Sequence, residues 1–465
     1  MTGALVKLEL LRLRRSRAAW AILAFALFAS FYSVWSGVSW RESHSASLVA
    51  YQAEIESKMD VWLETLAAIE SGERFATPFD ARPSQVEFAA THPVGPLGHL
   101  AVGSAELLPA RANIGPLKNQ NLMVERYGFE NPTTLTLGRF DLAFLIVVVL
   151  PLLMIALSFD VIAADRSRGT INLLLASRAS KQRVIATRLL VRNGILGGIV
   201  ALAVVFGIAM APEGAAAFGL LWSLVFLAYS LFWIGLIYLV VGRTSRSETS
   251  AAVLVSLWAL FTFAAPALAN SAGEALYPLP SNLDYLSDAR VAQNDAWKRR
   301  PELTAKYLSD HPELVANEME APEFAHAYFL ANVMEIESTA PIVAAFEDSH
   351  ARRSAFVDKL QFTSPAIVAQ RALFRIAGSD FDRTLSFLTQ ARAALTNLND
   401  ELRPVILASN RVSTEDFAAL SGFEFESNSP ATVFGQISIP VAFLVACLCL
   451  FVALGRPGNR YSPFA

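Results

Sequence analysis

The stretch "SFDVIAADRSRGTINLLLASRASKQRVIATRLLVRNG", residues 158–194, sets a basic cluster, a Gly-Thr pair and a leucine triplet between two apolar runs that carry no charge. Those runs, Leu142 to Phe159 and Gly194 to Ala211, are each long enough to approach or cross a hydrocarbon layer of roughly 30 Å. Moving outward, four more charge-free runs follow the same rule: Ala18 to Trp40, Gly214 to Gly242, Thr249 to Gly273 and Ser429 to Gly455. A chain of 465 residues with 54% hydrophobic and 17% charged residues is too apolar for an ordinary soluble protein. The sequence therefore reads as an all-α polytopic membrane protein with six spans and both termini on one side. The first run is long for a signal peptide, carries Trp20, Trp35 and Trp40, and ends without a small-residue cleavage site, so it reads as a retained anchor.

The distribution of Lys and Arg orients the chain, because basic residues stay preferentially on the cytoplasmic side. Lys7, Arg12, Arg14, Arg15 and Arg17 precede the first run. Arg166, Arg168, Arg178, Lys181, Arg183 and Arg188 separate the second from the third, Arg243 and Arg246 the fourth from the fifth, and Arg456 and Arg460 follow the sixth. All of these segments fall on one face. The opposite face receives two long insertions, Arg41 to Gly138 with 7 basic and 12 acidic residues, and Asn270 to Val433 with 14 and 23. Both are expected outside.

The two cysteines, Cys447 and Cys449, sit in the last apolar run, so the insertions must fold without disulfides. Residues 46–70 have helical character, whereas "FATPFDARPSQVEFAATHPVGPLGHLAVG" is broken by Pro and Gly. In the second insertion, apolar residues recur at helical spacing. Ser364 followed by Pro365 reads as a helix N-cap with proline in the first turn, and Gly378 as the stop.

Several function classes lose support at this level. The apolar runs hold no Lys, Arg, Asp, Glu or His of the kind that ion-coupled transporters use inside the membrane. Nucleophile-base pairs and zinc spacings such as H-E-x-x-H are not found. The six histidines all fall in the insertions. Only His92 and His99 are near neighbours, a weak candidate pair for a metal, with surface histidines in an irregular loop the plainer expectation. The G-x-x-x-x-G-K-[ST] phosphate loop is missing, so no enzymatic ATP hydrolysis by that route is expected of this chain.

The opening stretch then gains meaning. Asp165 and Arg166 precede Gly169 and Thr170, which would stop one helix and cap another with Thr170 at the N-cap. The new short helix would expose Leu173, Leu174 and Leu175 where no lipid core is available, so a protein groove is expected to receive them. This segment resembles the first cytoplasmic loop of ABC-2 type permeases, a D/E-R-x-x-G-T-L-x-x-L-L-x-x-P-x-S-R pattern, through those residues together with Ser180 and Arg183. Ile171 and Arg178 depart from it, standing where Leu and Pro are usual. The N-terminal "LVKLELLRLRRSR" looks like the interfacial helix of that family, with Leu5, Leu8 and Leu11 on one face. The insertions resemble those of members carrying the domain DUF3526, through "GPLGHLAVGSAELLPA" and "SPAIVAQRALFRIAGSDFDR".

The resemblance implies a permease subunit that couples ATP hydrolysis in a separate subunit to export or extraction of a substrate. It implies a bacterial inner membrane, two copies of an ABC ATPase binding ATP and Mg, a second permease copy or sibling, the lipid bilayer as surroundings, and no nucleic acid. The coupling contact would be Asp165, Arg166, Gly169, Thr170, Leu173, Leu174 and Leu175. The division expected is a cytoplasmic interfacial helix at 1–17, spans at 18–40, 139–163, 190–212, 214–242, 249–269 and 434–455, an external domain from 41–138 and 270–433, a cytoplasmic loop with its coupling helix at 164–189, and a cytoplasmic tail at 456–465. Two alternatives remain open. One is ABC-driven transmission of force to a periplasmic protein without transport; the other is a non-ABC membrane receptor or scaffold.

Overall fold

In a computed structural model, the first apolar run is only the first part of a 54-residue helix. The structure describes residues 2–75, 80, 82–106, 108–116, 118, 139–162, 180–278, scattered positions between 287 and 309, 323–407 and 412–455. A short helix α1, Thr2–Arg15, is followed by α2, Arg17–Glu70, which begins where the Ser16 hydroxyl accepts the Ala19 N–H at 3.2 Å. At 1.5 Å per residue α2 is about 80 Å long. Its second half therefore continues as a rod well beyond any hydrocarbon layer.

Among the described residues, five helices are long and apolar enough to cross a membrane: α2, then α4 (Lys181–Ala209), α5 (Ala216–Arg243), α6 (Ser247–Leu276) and α11 (Pro430–Gly455). The second apolar run forms a shorter apolar helix, α3, Leu142–Ser158. Between α6 and α11 lie α7 (Glu323–Leu360), α8 (Pro365–Ala377), α9 (Phe381–Leu407) and α10 (Thr414–Ala419). Among the described residues the one sheet is an antiparallel pair, β1 (Phe88–Thr91) and β2 (Arg111–Ile114), with Phe88 opposite Ile114.

Proline shapes two of the apolar helices. Pro151 and Pro266 each follow a π-helical turn, Leu145–Val149 and Leu260–Ala264, which widens the helix where a proline ring would strike the preceding turn. A proline also leaves an upstream carbonyl without its N–H donor, and in an apolar bundle that group needs another partner. The Tyr229 hydroxyl donates to Val147 C=O at 2.9 Å and the Trp258 indole to Val148 C=O at 3.0 Å. At the second π turn, the Ser364 hydroxyl donates to Phe261 C=O. Each of these prolines thus follows a π turn stitched to neighbouring helices.

Two cores organise the chain. The larger gathers the apolar helices around Trp222, Tyr229, Trp233, Leu142, Leu189 and Leu196. It also takes in Ala366, Val368, Ala369, Ala372, Leu373, Ile376 and Ala377, so α8 packs inside the bundle, against α5, α11 and the π turn of α6. In sequence α8 lies within the second insertion; its apolar face is buried against these helices, while Gln370 is exposed and Arg371 and Arg375 on the other face pair with Asp358. The smaller core joins Trp62 and Leu66 of α2, Ala90 and Ala112 of the sheet, and Phe387, Ala391, Leu395, Leu398 and Leu402 of α9. Both long insertions therefore contribute to one hydrophobic unit. The bundle has an insertion end beside this unit and an opposite, short-loop end.

Candidate functional sites at the two ends of the bundle

At the short-loop end, α1 carries a single acidic residue, Glu9, and it is fully buried. A buried carboxylate is costly unless paired, and here it meets two guanidinium groups of α4. Arg192 Nε donates to Glu9 Oε1 at 2.6 Å, and Arg188 Nε lies 3.4 Å from Oε2. The same arginines reach α3: Arg192 donates to Leu157 C=O at 2.6 Å and to the Asp160 carboxylate at 3.0 Å, and Arg188 to Val161 C=O at 2.6 Å. Carbonyls at a helix C-terminus lack intrahelical partners and favour cations, which is why the arginines can be held there. Asn193 adds a 3.0 Å bond to the Ser158 hydroxyl. One cluster thus ties α1, the end of α3 and the start of α4 together.

The cluster extends one sequence expectation and corrects another. The helices carry charges into the bundle beyond their charge-free runs, since α4 starts at Lys181, ahead of the span expected at 190–212. On α1 the inward face is Leu5, Glu9 and Leu13, whereas Leu8, Leu10 and Leu11 are exposed. The expected stripe of Leu5, Leu8 and Leu11 is therefore split. A burial pattern centred on Glu9 could not be read locally, because its partners lie far along the chain. Other basic residues at this end also bind helix ends: Lys181 donates to Gly242 C=O at 2.9 Å and Arg243 to Leu454 C=O at 2.8 Å.

The segment framed by this cluster contains Asp165, Arg166, Gly169, Thr170, Leu173, Leu174 and Leu175, which lie outside the described residues. The structure describes their two anchors, residues 159–162 and 180–193.

At the insertion end, the two segments singled out from sequence touch. Gly95 packs so tightly against α8 that an added Cβ would stand 2.1 Å from Ala377 C=O, and Gly103 lies under the Phe374 ring. The Arg383 guanidinium donates to Pro93 C=O at 3.3 Å. Helix α8 is capped as expected: the Ser364 hydroxyl accepts the N–H groups of Ala366 and Ile367, Pro365 is in the first turn, and Gly378 closes the helix at φ 70°. The first segment is also wired to two apolar helices, α3 and α2. Asp141 accepts from Val102 N–H at 2.9 Å while capping α3 through Phe144 N–H, Ala143 N–H donates to Leu100 C=O, and a Cβ on Gly37 would fall 1.7 Å from His99 C=O.

His99 and His92 are not surface residues. His99 is fully buried, with Nε2 2.8 Å from Gly207 C=O and Nδ1 3.4 Å from Arg41. Burial lowers its pKa to about 4, opposed by the Gly207 carbonyl. A neutral ring donating from Nε2 fits this setting. His92 packs against Phe387 and Phe425, and burial, aided by Arg383, lowers its pKa to about 3. The two rings serve different neighbours, and no cluster of three or more potential metal ligands occurs among the described residues.

Residues 282–426 match the family described as Domain of unknown function (DUF3526), a span that takes in α7 to α10 and hence the helix wedged into the bundle. No curated protein and no solved structure matches the chain.

Proposed function

We propose that this chain is the transmembrane subunit of an ABC-2 type transporter in a bacterial inner membrane, driven by a separate ATPase that binds ATP and Mg. With α3 counted alongside the five longer helices, the chain crosses six times and both termini lie in the cytoplasm. The insertions then form one outer domain, and export or extraction of a substrate from the outer face is the expected activity. A partner permease, identical or sibling, completes the pathway. The observation that carries this reading is the Glu9, Arg188, Arg192 and Asp160 cluster. It fixes both anchors of residues 163–179 to the N-terminal helix, so a push on that segment would move α1, α3 and α4 together.

A second reading keeps the ATPase and replaces transport by force transmitted to a periplasmic protein. The unbroken α2 rod and the wedged α8 favour it, because both link the bundle rigidly to the outer unit. Cysteine at Ser45 or Ser271 should react with an impermeant thiol reagent in intact cells, and cysteine at Ser177 should not. Affinity purification of the full chain from its native membrane should bring down an ABC ATPase. Labelling at position 177 or purification without any ATPase would contradict the assignment. Movement of a labelled substrate in reconstituted vesicles separates transport from force transmission alone.

A further inference from the structure

Helix α1 has one face in the bundle and one face out of it. Leu5, Glu9 and Leu13 turn inward, and the outward face mixes bases with leucines: Lys7, Leu8, Leu10, Leu11, Arg14 and Arg15 are all exposed. Leu10 is 45% exposed and Leu11 46%. Arg17, in the first turn of α2, is exposed as well. Lys7, Arg14, Arg15 and Arg17 make no ion pair among the described residues. Glu9 is the only acidic residue before Glu42, and it is buried against Arg188 and Arg192. Four unpaired positive charges therefore stand beside three exposed leucines.

The chain around this face fixes its level. Only Ser16 separates α1 from α2, whose charge-free run starts at Ala18. The Trp20 indole, 57% exposed, donates to Arg14 C=O at 3.1 Å and ties the last turn of α1 to the first turn of α2. With α2 as a span, the chain leaves the hydrocarbon here, and an exposed tryptophan at the end of a span belongs at headgroup level. Three neighbouring leucines are poorly placed in water, and four unpaired cations are poorly placed in hydrocarbon. The headgroup layer receives both, because the aliphatic stems of Lys and Arg lie beside the leucines while their charges reach the lipid heads.

We infer that the outward face of α1, with Arg17 and Trp20, is a binding surface for anionic lipid headgroups on the short-loop side of the membrane. The unpaired bases select an anionic over a zwitterionic head, and the leucines select a lipid over a soluble anion. The inference rests on α2 being a span, and it adds to an interfacial α1 the headgroup chemistry that it selects. It needs no ATPase, so its failure and a failure of ATPase recovery are separate results.

The test uses the purified full chain in neutral detergent, with phosphatidylglycerol and phosphatidylcholine of identical chains at equal concentration. Native mass spectrometry reads both the bound lipid and the number of chains per particle. The wild type should retain phosphatidylglycerol with a preference of about fivefold or more, the effect of at least one base at a membrane surface. The quadruple variant Lys7→Gln, Arg14→Gln, Arg15→Gln and Arg17→Gln should lose most of that preference. A charge-matched control in the two insertions, Lys58→Gln, Arg74→Gln, Lys298→Gln and Arg352→Gln, alters four exposed bases and should keep it. Leu8→Ser with Leu10→Ser and Leu11→Ser leaves the charges in place and should retain less of both lipids. Equal retention of the two lipids by the wild type would overturn the inference, as would an undiminished preference in the quadruple variant. A wild-type dimer that the quadruple variant loses, with its lipid preference unchanged, would overturn it in favour of a second copy of the chain. Displacement of phosphatidylglycerol by glycerol phosphate at matched concentration would overturn it in favour of a soluble anion.

Discussion

The two ends of the bundle hold non-spanning chain against the ends of helices by opposite chemistry. The short-loop end uses charge: a fully buried glutamate, two arginines and the open carbonyls of α3. The insertion end uses volume, with glycines at Gly37 and Gly95 admitting another backbone to contact and the apolar face of α8 buried. A charged joint is directional and fails when one partner is removed, while a packed joint fails when atoms are added. The difference suits the proposed assembly, in which the short-loop end would receive a push and the insertion end would move as a rigid wedge.

The largest effect should come from breaking the charged joint. Glu9→Ala leaves Arg188 without its buried counter-charge, and loss of one partner of a buried pair costs about 3–5 kcal/mol. Thermal unfolding in detergent should show a large fall in midpoint that 0.5 M salt does not reproduce in the wild type, since buried pairs are poorly screened. A change no larger than that of an exposed charge such as Lys58→Ala would show that the cluster is not holding α1. At the packed joint, Gly37→Ala forces a methyl into His99 C=O and should cost on the order of 1–3 kcal/mol. Gly198→Ala, where an added Cβ meets nothing within 4 Å, is the matched control and should be near neutral.

Acid should weaken the insertion end selectively. The folded chain holds His99 and His92 neutral, with pKa values near 4 and 3, while the unfolded chain protonates both near 6.5. The unfolded state then binds more protons between those limits, so stability is full above about pH 6.5 and falls as pH drops. By pH 5 the loss is about 2 kcal/mol per histidine. The double variant His92→Gln with His99→Gln should flatten the pH dependence of the melting midpoint between pH 7 and 5; an unchanged slope would place the acid sensitivity elsewhere. The smallest effect concerns the seam between α8 and α6: Ser364→Ala removes an N-cap and the donor to Phe261 C=O, about 1–2 kcal/mol. Ser364→Thr, which keeps the hydroxyl, should recover most of it.

How much of this was legible in the sequence follows from the range of the forces involved. The caps at Ser364 and Gly378 were readable because capping is decided within a few residues. The apolar helices were readable because their length and composition are local quantities, and so was the helical end near Glu70; that the first run and residues 46–70 form one unbroken helix, and that α4 begins at Lys181, was not. Glu9 was hidden because its burial depends on Arg192, 183 residues away. His99 was read as part of a surface loop because nothing near it announces Gly37 and Gly207, the glycines that open room for its segment. The packing of α8 against the apolar helices was not legible for a related reason, since an amphipathic helix of 13 residues does not reveal which core its apolar face will join. The leucine triplet at 173–175 was read from sequence and lies outside the described residues.

That triplet is where the account is most directly tested. In native membranes or after reconstitution with the proposed ATPase partner, the rate of ATP hydrolysis and the recovery of that ATPase with the chain should both be measured for the wild type, Leu174→Asp and Arg178→Ala. If the triplet is buried in an ATPase groove, Leu174→Asp forces an unpaired carboxylate into an apolar contact, which costs several kcal/mol or prevents docking. The account predicts a normally inserted Leu174→Asp chain that neither retains the ATPase nor stimulates it, with Arg178→Ala milder. Full ATPase recovery and wild-type hydrolysis with Leu174→Asp would contradict it.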